Sequence, residues 1–446
     1  MRLPCPESGR SISFFSLCEA KKIAQGSTTP QRALMSAASF APDHVGPRLS
    51  AESLRACLLW LTGFSGAFVF IEPSPYEYVA TFTVLLFALT GMSLRGAIVP
   101  LIVLLLLMLI GYGIAVAPVS DQSKSVTWVF VSIFMAVTAV FYAAMLGTNT
   151  QSRLEALLRG YVAAAVVASL VAIGGYFRLF GSVSEMLVLY DRARGTFNDP
   201  NVLGAFLVLP GLLLLQRMLA GHRTMRSGLL LLVMLAALFL TFSRGAWAQC
   251  AFATMLLMYI TFITSASVRE KFRIVVVALA GMFAVAVLIT ALLSFGQVSD
   301  IFSERAALEQ SYDVGRFGRF GRYLLGVDIA LEHPLGIGPL QFYLLFVEDP
   351  HNTFLNTFLS GGWLAGFGYL TLSILTIAMS TRFLFARTPW QPLYQAFYAA
   401  YVGMIGESVI IDIDHWRHYF LILGVLWGLM AASAQYVSAR PINSSA

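Results

Sequence analysis

The amino-acid sequence predicts an all-α polytopic membrane protein, and three observations predict it. Of 446 residues, 58% are hydrophobic and 12% charged, whereas soluble domains carry about 25% charged residues. Apolar runs such as "AIVPLIVLLLLMLIGYGIAVA" (Ala97 to Ala117) and "RIVVVALAGMFAVAVLITALL" (Arg273 to Leu293) reach the ~20 residues that cross a bilayer as helix. These runs are continuous, without the two-residue alternation of a transmembrane β-barrel. A water-soluble fold is excluded, because it would leave too much apolar surface in water.

The length criterion gives about twelve spans. They run near 56–71, 77–93, 97–117, 125–146, 157–180, 201–219, 227–242, 245–264, 273–294, 353–380, 393–411 and 417–435. The seventh and eighth are parted only by "TFSRGAW", a single charge in apolar sequence. An even count puts both termini on one side. With the ends inside, the short inside loops carry Arg95; Arg153 and Arg159; Arg217, Arg223 and Arg226; Arg269, Lys271 and Arg273; Arg382 and Arg387. The outside links "EPSPYEY" and "APVSDQSK" contribute Lys124 alone. Inside loops are the Lys- and Arg-rich ones, so both termini are expected in the cytoplasm.

Residues 1–50 differ from the rest. Lys21, Lys22, Arg32 and Arg48 stand there among Ser, Pro and Ala. "ISFFSL" is too short for a signal-peptide core. The expectation is a disordered cytoplasmic tail, or an early start with Met35 as the true initiator. Residues 51–446 then form the transmembrane domain, with one large outside loop at 295–352. Cys57 and Cys250 fall in spans and Cys5 and Cys18 in the tail, so no disulfide or CxxC metal framework is expected.

Cations facing outside break the charge rule, and they cluster in four places. These are "DRARGTFNDPN" (Asp191 to Asn201), "TFSRGAW" (Thr241 to Trp247), the stretch from Ser294 to Asn352, and "DIDHWRHY" (Asp412 to Tyr419). An Arg paired with a neighbouring acid in a wet loop would explain many of them. It explains Arg244 less well, since that residue ends a span with no acid nearby in sequence. Ionisable groups at membrane depth are functional candidates.

The large loop contains "GRFGRFGRY", three Gly-Arg-aromatic repeats from Gly315 to Tyr323. "LLGVDIALEHPLGIGPLQF" follows and predicts a short helix stopped by Pro334, with Gly336 and Gly338 in a turn. If that helix extends backwards, Arg316, Arg319 and Arg322 fan over one face at i, i+3 and i+6. Three guanidiniums on one face call for an anion, and their forks match phosphate oxygens. A nucleic-acid-binding RGG segment fits poorly, because the stretch is short and faces outside.

The loop ends at "EDPHNTFLNTFLSGGWLAGFGYL". A helix start accounts for Asp349, Pro350 and Asn352 as cap and first-turn residues. It leaves His351 unexplained. A His at the membrane boundary titrates near pH ~6.5 and can take a proton from a hydroxyl. Asn352 and Asn356 lie one helical turn apart beside it. His415 and His418, near Asp412 and Asp414, are weaker candidates; His222 and His44 lie inside or in the tail.

The series "RGTFNDPNVLGAFL", "LTFSRGAW", "GRFGRY…HPLGIGPLQF" and "PHNTFLNTFLSGGWLAG" resembles the O-antigen ligase and polymerase family of bacterial membrane glycosyltransferases. The resemblance covers about Arg194 to Phe367. It implies a twelve-span fold in the inner membrane, with a large periplasmic loop between spans nine and ten. It implies an undecaprenyl-diphosphate-linked glycan donor and metal-independent, inverting transfer to an acceptor hydroxyl without a cofactor. The acceptor is lipid A–core for a ligase, or the growing glycan for a polymerase of O-antigen or exopolysaccharide. Carried over residue by residue, Arg244 resembles the diphosphate-binding Arg and His351 the catalytic base. The loop Arg falls on Arg316, Arg319 or Arg322, with Tyr323 suiting Arg319 as the aromatic four residues on. Arg192 and Arg194 would be further donor contacts, and Asn352 and Asn356 would orient the acceptor. A transporter or flippase of lipid-linked sugars is the alternative from another class. It would use the basic cavity without the base, but the two halves show no convincing internal repeat of the kind many transporters have.

Overall fold

The structure, a computed structural model, describes residues 51–222, 224–306, 315, 318–346 and 348–439. The expected tail at 1–50, including Met35, lies outside the described residues, as does Arg316.

The described residues fold almost wholly as helix. Twelve helices follow the twelve expected spans: α1 (Ala51–Ser65), α2 (Pro75–Leu89), α3 (Val99–Val116), α4 (Ser123–Met145), α5 (Thr150–Tyr176), α6 (Pro200–Leu219), α7 (Thr224–Leu240), α8 (Arg244–Thr264), α9 (Val268–Leu293), α13 (Thr353–Thr381), α14 (Gln391–Glu407) and α15 (Arg417–Ser438). Eight of them are long and apolar enough to cross a membrane. The chain is thus an all-α polytopic membrane protein. Among the described residues between α9 and α13 lie three shorter helices, α10 (Gly296–Ala306), α11 (Arg319–Glu332) and α12 (Gln341–Phe346). A two-stranded antiparallel ribbon, β1 (Val188–Leu189) and β2 (Arg192–Ala193), precedes α6.

Local chemistry sets the helix starts. Asp199 caps α6, accepting from the Asn201 amide at 2.6 Å, with Pro200 in the first turn. Ser243 caps α8, accepting from Ala246, and Ser267 caps α9. Each cap satisfies an amide left over by the first turn and contributes about 1 kcal/mol. The doubtful seventh boundary resolves here, as α7 stops at Leu240 and the Ser243 cap opens α8.

Several expected boundaries shift by a turn or more, and the largest shift is at the start of α5. Helix α5 starts seven residues ahead of the predicted span at 157, at Thr150. The reason is Arg153, expected in an inside loop. It is buried, donating to Glu52 at 2.7 and 3.0 Å and to the Met145 carbonyl at 2.9 Å. A paired guanidinium can sit inside the helix bundle that a lone one would avoid.

Helix α13 is broken. Gly362 has φ 67° and ψ −169° inside it, a conformation that only glycine adopts easily. The loop after α11 lays its backbone into the gap. The Trp363 amide donates to the Pro334 carbonyl and the Ile337 amide to the Leu359 carbonyl, both at 2.8 Å. A Cβ on Gly362 would collide with the Pro334 carbonyl. Freed helix carbonyls and amides at membrane level must find partners in the protein, and this loop supplies them. The result is that residues 353–361, which follow His351, are held by the loop and by α11, while 363–381 run on as the span.

Candidate active site

The sequence placed candidates in four separate stretches. The structure joins them at one end of the bundle. The largest join is between the start of α13 and the α14–α15 connection. The Thr353 amide donates to the Ser408 carbonyl at 2.9 Å, and its hydroxyl donates to Ile411 and accepts from the Ile413 amide, both at 2.9 Å. One turn on, Asn356 donates through Nδ2 to Asp414 Oδ2 at 3.0 Å and accepts from Ser360 at 3.2 Å. Asn352 is the N-cap of α13, with its Oδ1 accepting from Leu355 at 3.0 Å.

His351 sits over this join. Its backbone is left-handed, with φ 50°, and its imidazole is 37% exposed. Nδ1 faces Asp412 Oδ2 across 3.9 Å. Burial and the nearby Arg319 and Arg322 guanidiniums hold its pKa below the ordinary histidine value, against the pull of Glu348 and Asp199. Neutral imidazole is the form that accepts a proton. Burial pushes the Asp412 carboxyl well above the usual carboxylate range. Asp414 and Asp349 add to this, and the Asn352 and His351 amides oppose it. Asp349 is pushed up to about 6 by burial and by Asp414, with Arg322 opposing. One flank of His351 is therefore acidic and the other basic.

The basic flank is the first turn of α11. That helix opens at Arg319 with Gly318 as its N-cap residue, so Arg319 and Arg322 occupy one turn. Arg322 is buried and pairs with Glu348 at 2.6 Å. Tyr323 donates to the His351 carbonyl at 3.0 Å and to the Val409 carbonyl at 3.2 Å. The aromatic four residues after Arg319 thus ties the arginine turn to the histidine.

Arg192 links two other motifs. Its Nε donates to the Thr241 carbonyl at 2.7 Å and its Nη2 to Asn201 Oδ1 at 2.6 Å. Arg194 is half-buried and donates to the Met186 and Asn198 carbonyls at 3.1 and 3.3 Å, shaping its own loop. Arg244 begins α8, half-buried, after Phe242 in a left-handed turn. Trp247 stacks on Phe239 at 5.2 Å and reaches Phe302 of α10 at 6.1 Å, so the loop roofs that corner. The two halves of the site meet at the end of α14. Glu407 packs on Gly245, where a Cβ would lie 3.0 Å from its Oε1, and Ser408, the next residue, holds Thr353.

Sequence reasoning passed over several of these groups. In sequence Asp412 is a loop acid and Asp349 a helix cap, and Asp199 and Glu407 carry no signal of their own in the motifs. Glu407 is buried, and neither carboxyl oxygen meets a hydrogen-bond partner among the described residues; an acid inside an apolar run was the available signal. His415 lies apart from His351, its Nε2 3.0 Å from Ser132 Oγ and its Nδ1 3.5 Å from Asp414. His418 is buried in α15 against Phe206 and Trp416. Among the described residues no group of three or more His, Cys, Asp and Glu is placed to hold a metal.

Residues 229–370 match the family model described as O-antigen ligase. The matched segment contains Arg244, Arg319, Arg322, His351, Asn352 and Asn356, whereas Arg192, Arg194, Asp412 and Asp414 lie outside it. No curated protein matches the chain.

Proposed function

From the match of residues 229–370 to the O-antigen ligase family model, we propose that this chain is a member of that family and transfers a glycan from an undecaprenyl-diphosphate-linked donor to an acceptor hydroxyl. The reaction takes place at the periplasmic face of the inner membrane, with both termini cytoplasmic. The observation that supports this reading is the place of His351, held between an arginine turn and the Asp412 carboxyl with its pKa lowered by burial and by Arg319.

The acceptor oxygen attacks the anomeric carbon from the face opposite the diphosphate. The carbon–oxygen bond to phosphate breaks, and its electron pair leaves with the diphosphate. The acceptor proton passes to His351, and the anomeric configuration inverts once. Asp412 faces Nδ1 across 3.9 Å and bounds the imidazole on that side, while the Glu348 and Asp199 carboxylates favour the imidazolium that forms. Guanidiniums fixed before reaction stabilise the growing phosphate charge without reorganising. Arg319 and Arg244 are assigned this task, with Arg192 behind them; in this reading a metal ion is unnecessary. Arg322, already paired with Glu348, positions the turn. Asn356 and Asp414 form the acceptor side, where carboxylate and amide oxygens can accept from sugar hydroxyls.

Purified protein supplied with a lipid-linked glycan and a candidate acceptor tests the reading. A new glycosidic bond is expected. Donor movement across the bilayer with no new bond would identify a transporter instead. Envelope glycans of a deletion strain separate the two transferase readings. Loss of O-antigen from lipid A–core, with lipid-linked polymer accumulating, marks a ligase. Loss of long chains while single repeats survive marks a polymerase.

A further inference from the structure

Helix α11 has three distinct sides. One packs on the protein: Gly326 and Ala330 lie against Leu355 and Leu359 of α13, and Arg322 is buried with them. A second is an apolar stripe. Phe320, Leu324, Val327 and Leu331 are between 46% and 73% exposed, and at 3.6 residues per turn they fall within an arc of roughly 60°. That stripe lies roughly 120° round from the packed side by the same geometry. The third side carries Asp328 and Glu332, both exposed. A helix standing free in water needs only a packed side and a polar side. A helix lying in a membrane surface needs the third, apolar one.

The stripe does not end in solvent. Trp363 Nε1 donates to the Ala330 carbonyl at 2.8 Å, fixing α11 against the top of the spanning part of α13. From there Trp363, Leu364 and Phe367 continue the exposed apolar surface along that span, the side a transmembrane helix turns to lipid. Leu335 and then Tyr343, Leu344 and Leu345 of α12 extend it the other way. Tyr and Trp at this level match the aromatic belt of membrane boundaries.

We propose that α11 lies flat in the bilayer boundary on the side of His351, with its apolar stripe in the acyl region and bilayer lipid as its occupant. Its first turn then presents Arg319 at the depth of lipid phosphates. The membrane seat stands independently of the proposed reaction; the consequence for donor depth rests on that reaction.

Single-cysteine variants L324C, L331C and D328C test it, in full-length protein whose four own cysteines are replaced by serine and whose melting temperature matches the parent. They are spin-labelled in nanodiscs of phosphatidylethanolamine and phosphatidylglycerol, and relaxation by oxygen is compared with relaxation by a water-soluble nickel chelate. Labels at 324 and 331 are expected to favour oxygen and the label at 328 nickel. Nickel preference at 324 and 331 would overturn the membrane seat. Shielding of both sites from both reagents would overturn it too, in favour of a protein partner or a second copy. The readout does not depend on glycan transfer, so its failure and that of the proposed reaction are separable.

Discussion

The imidazole of His351, at the head of α13, looks across 3.9 Å at the carboxyl of Asp412, which lies between α14 and α15. The gap is longer than a hydrogen bond, yet Thr353 and Asn356 lock the two segments together on either side. Removing the base should therefore be cleaner than removing its scaffold. His351→Asn keeps a residue type that tolerates the left-handed backbone. It should lower transfer by about 10²–10⁴ with donor binding retained, as measured by turnover and by binding of a labelled lipid donor. Turnover close to that of the parent would refute the assignment.

The pH profile follows from the same pair. A base with a lowered pKa stays unprotonated to lower pH, so the acid limb of kcat/KM should lie below pH ~6.5. The positive charge of Arg319 contributes to that lowering. Arg319→Gln should then shift the limb upward while also reducing the rate. An unmoved limb would mean that the titrating group is not His351.

The arginines should fall into two classes. Arg322→Ala removes a buried charge paired with Glu348 and should cost about 1–3 kcal/mol of stability, read as a lower Tm. Arg319→Ala should reduce transfer by more than any change in Tm accounts for, as turnover per folded protein measures. Arg244→Lys retains charge and loses the fork. At least a tenfold loss, about 1.4 kcal/mol of transition-state stabilisation, is expected; full activity would remove Arg244 from the diphosphate site.

Transfer should continue in excess chelator, because arginine supplies the charge that a divalent ion supplies elsewhere. Activity that vanishes with EDTA and returns with Mg²⁺ or Mn²⁺ would assign Asp349, Asp412 and Asp414 to a cation.

Gly362→Ala should be strongly destabilising although it adds one methyl group. Left-handed backbone costs about 1–3 kcal/mol for other residues, and the new Cβ would also drive into the Pro334 carbonyl. Thermal unfolding of the detergent-solubilised protein measures this. A Tm within a degree or two of the parent would mean that the break is not needed.

What could be read before the structure follows from the range of the forces involved. Span positions depend on run length and on caps, both local, so Asn352 marks its helix in sequence, whereas the Ser243 cap, inside nearly unbroken apolar sequence, emerges only in the structure. The arginine turn was harder. Three identical repeats give no register, and only the bond from Tyr323 to the His351 carbonyl singles out the helix that opens at Arg319. The acids on the far flank were harder still. Asp412 meets His351 only when α13 packs beside the end of α14, and no local pattern encodes that meeting. The break at Gly362 was also hidden, since "SGGW" reads equally as small residues packing inside a continuous span.

That break has a consequence for how the sequence can drift. The joint between α13 and the preceding loop is made from main-chain amides and carbonyls, so it is indifferent to most side chains around it. Exhaustive substitution across residues 333–340 and 359–363 should give a map with sharp minima at Gly336, Gly338 and Gly362, where any Cβ meets backbone. Exposed Leu335, directly between two joint residues, should accept most replacements in detergent and resist charged ones in lipid.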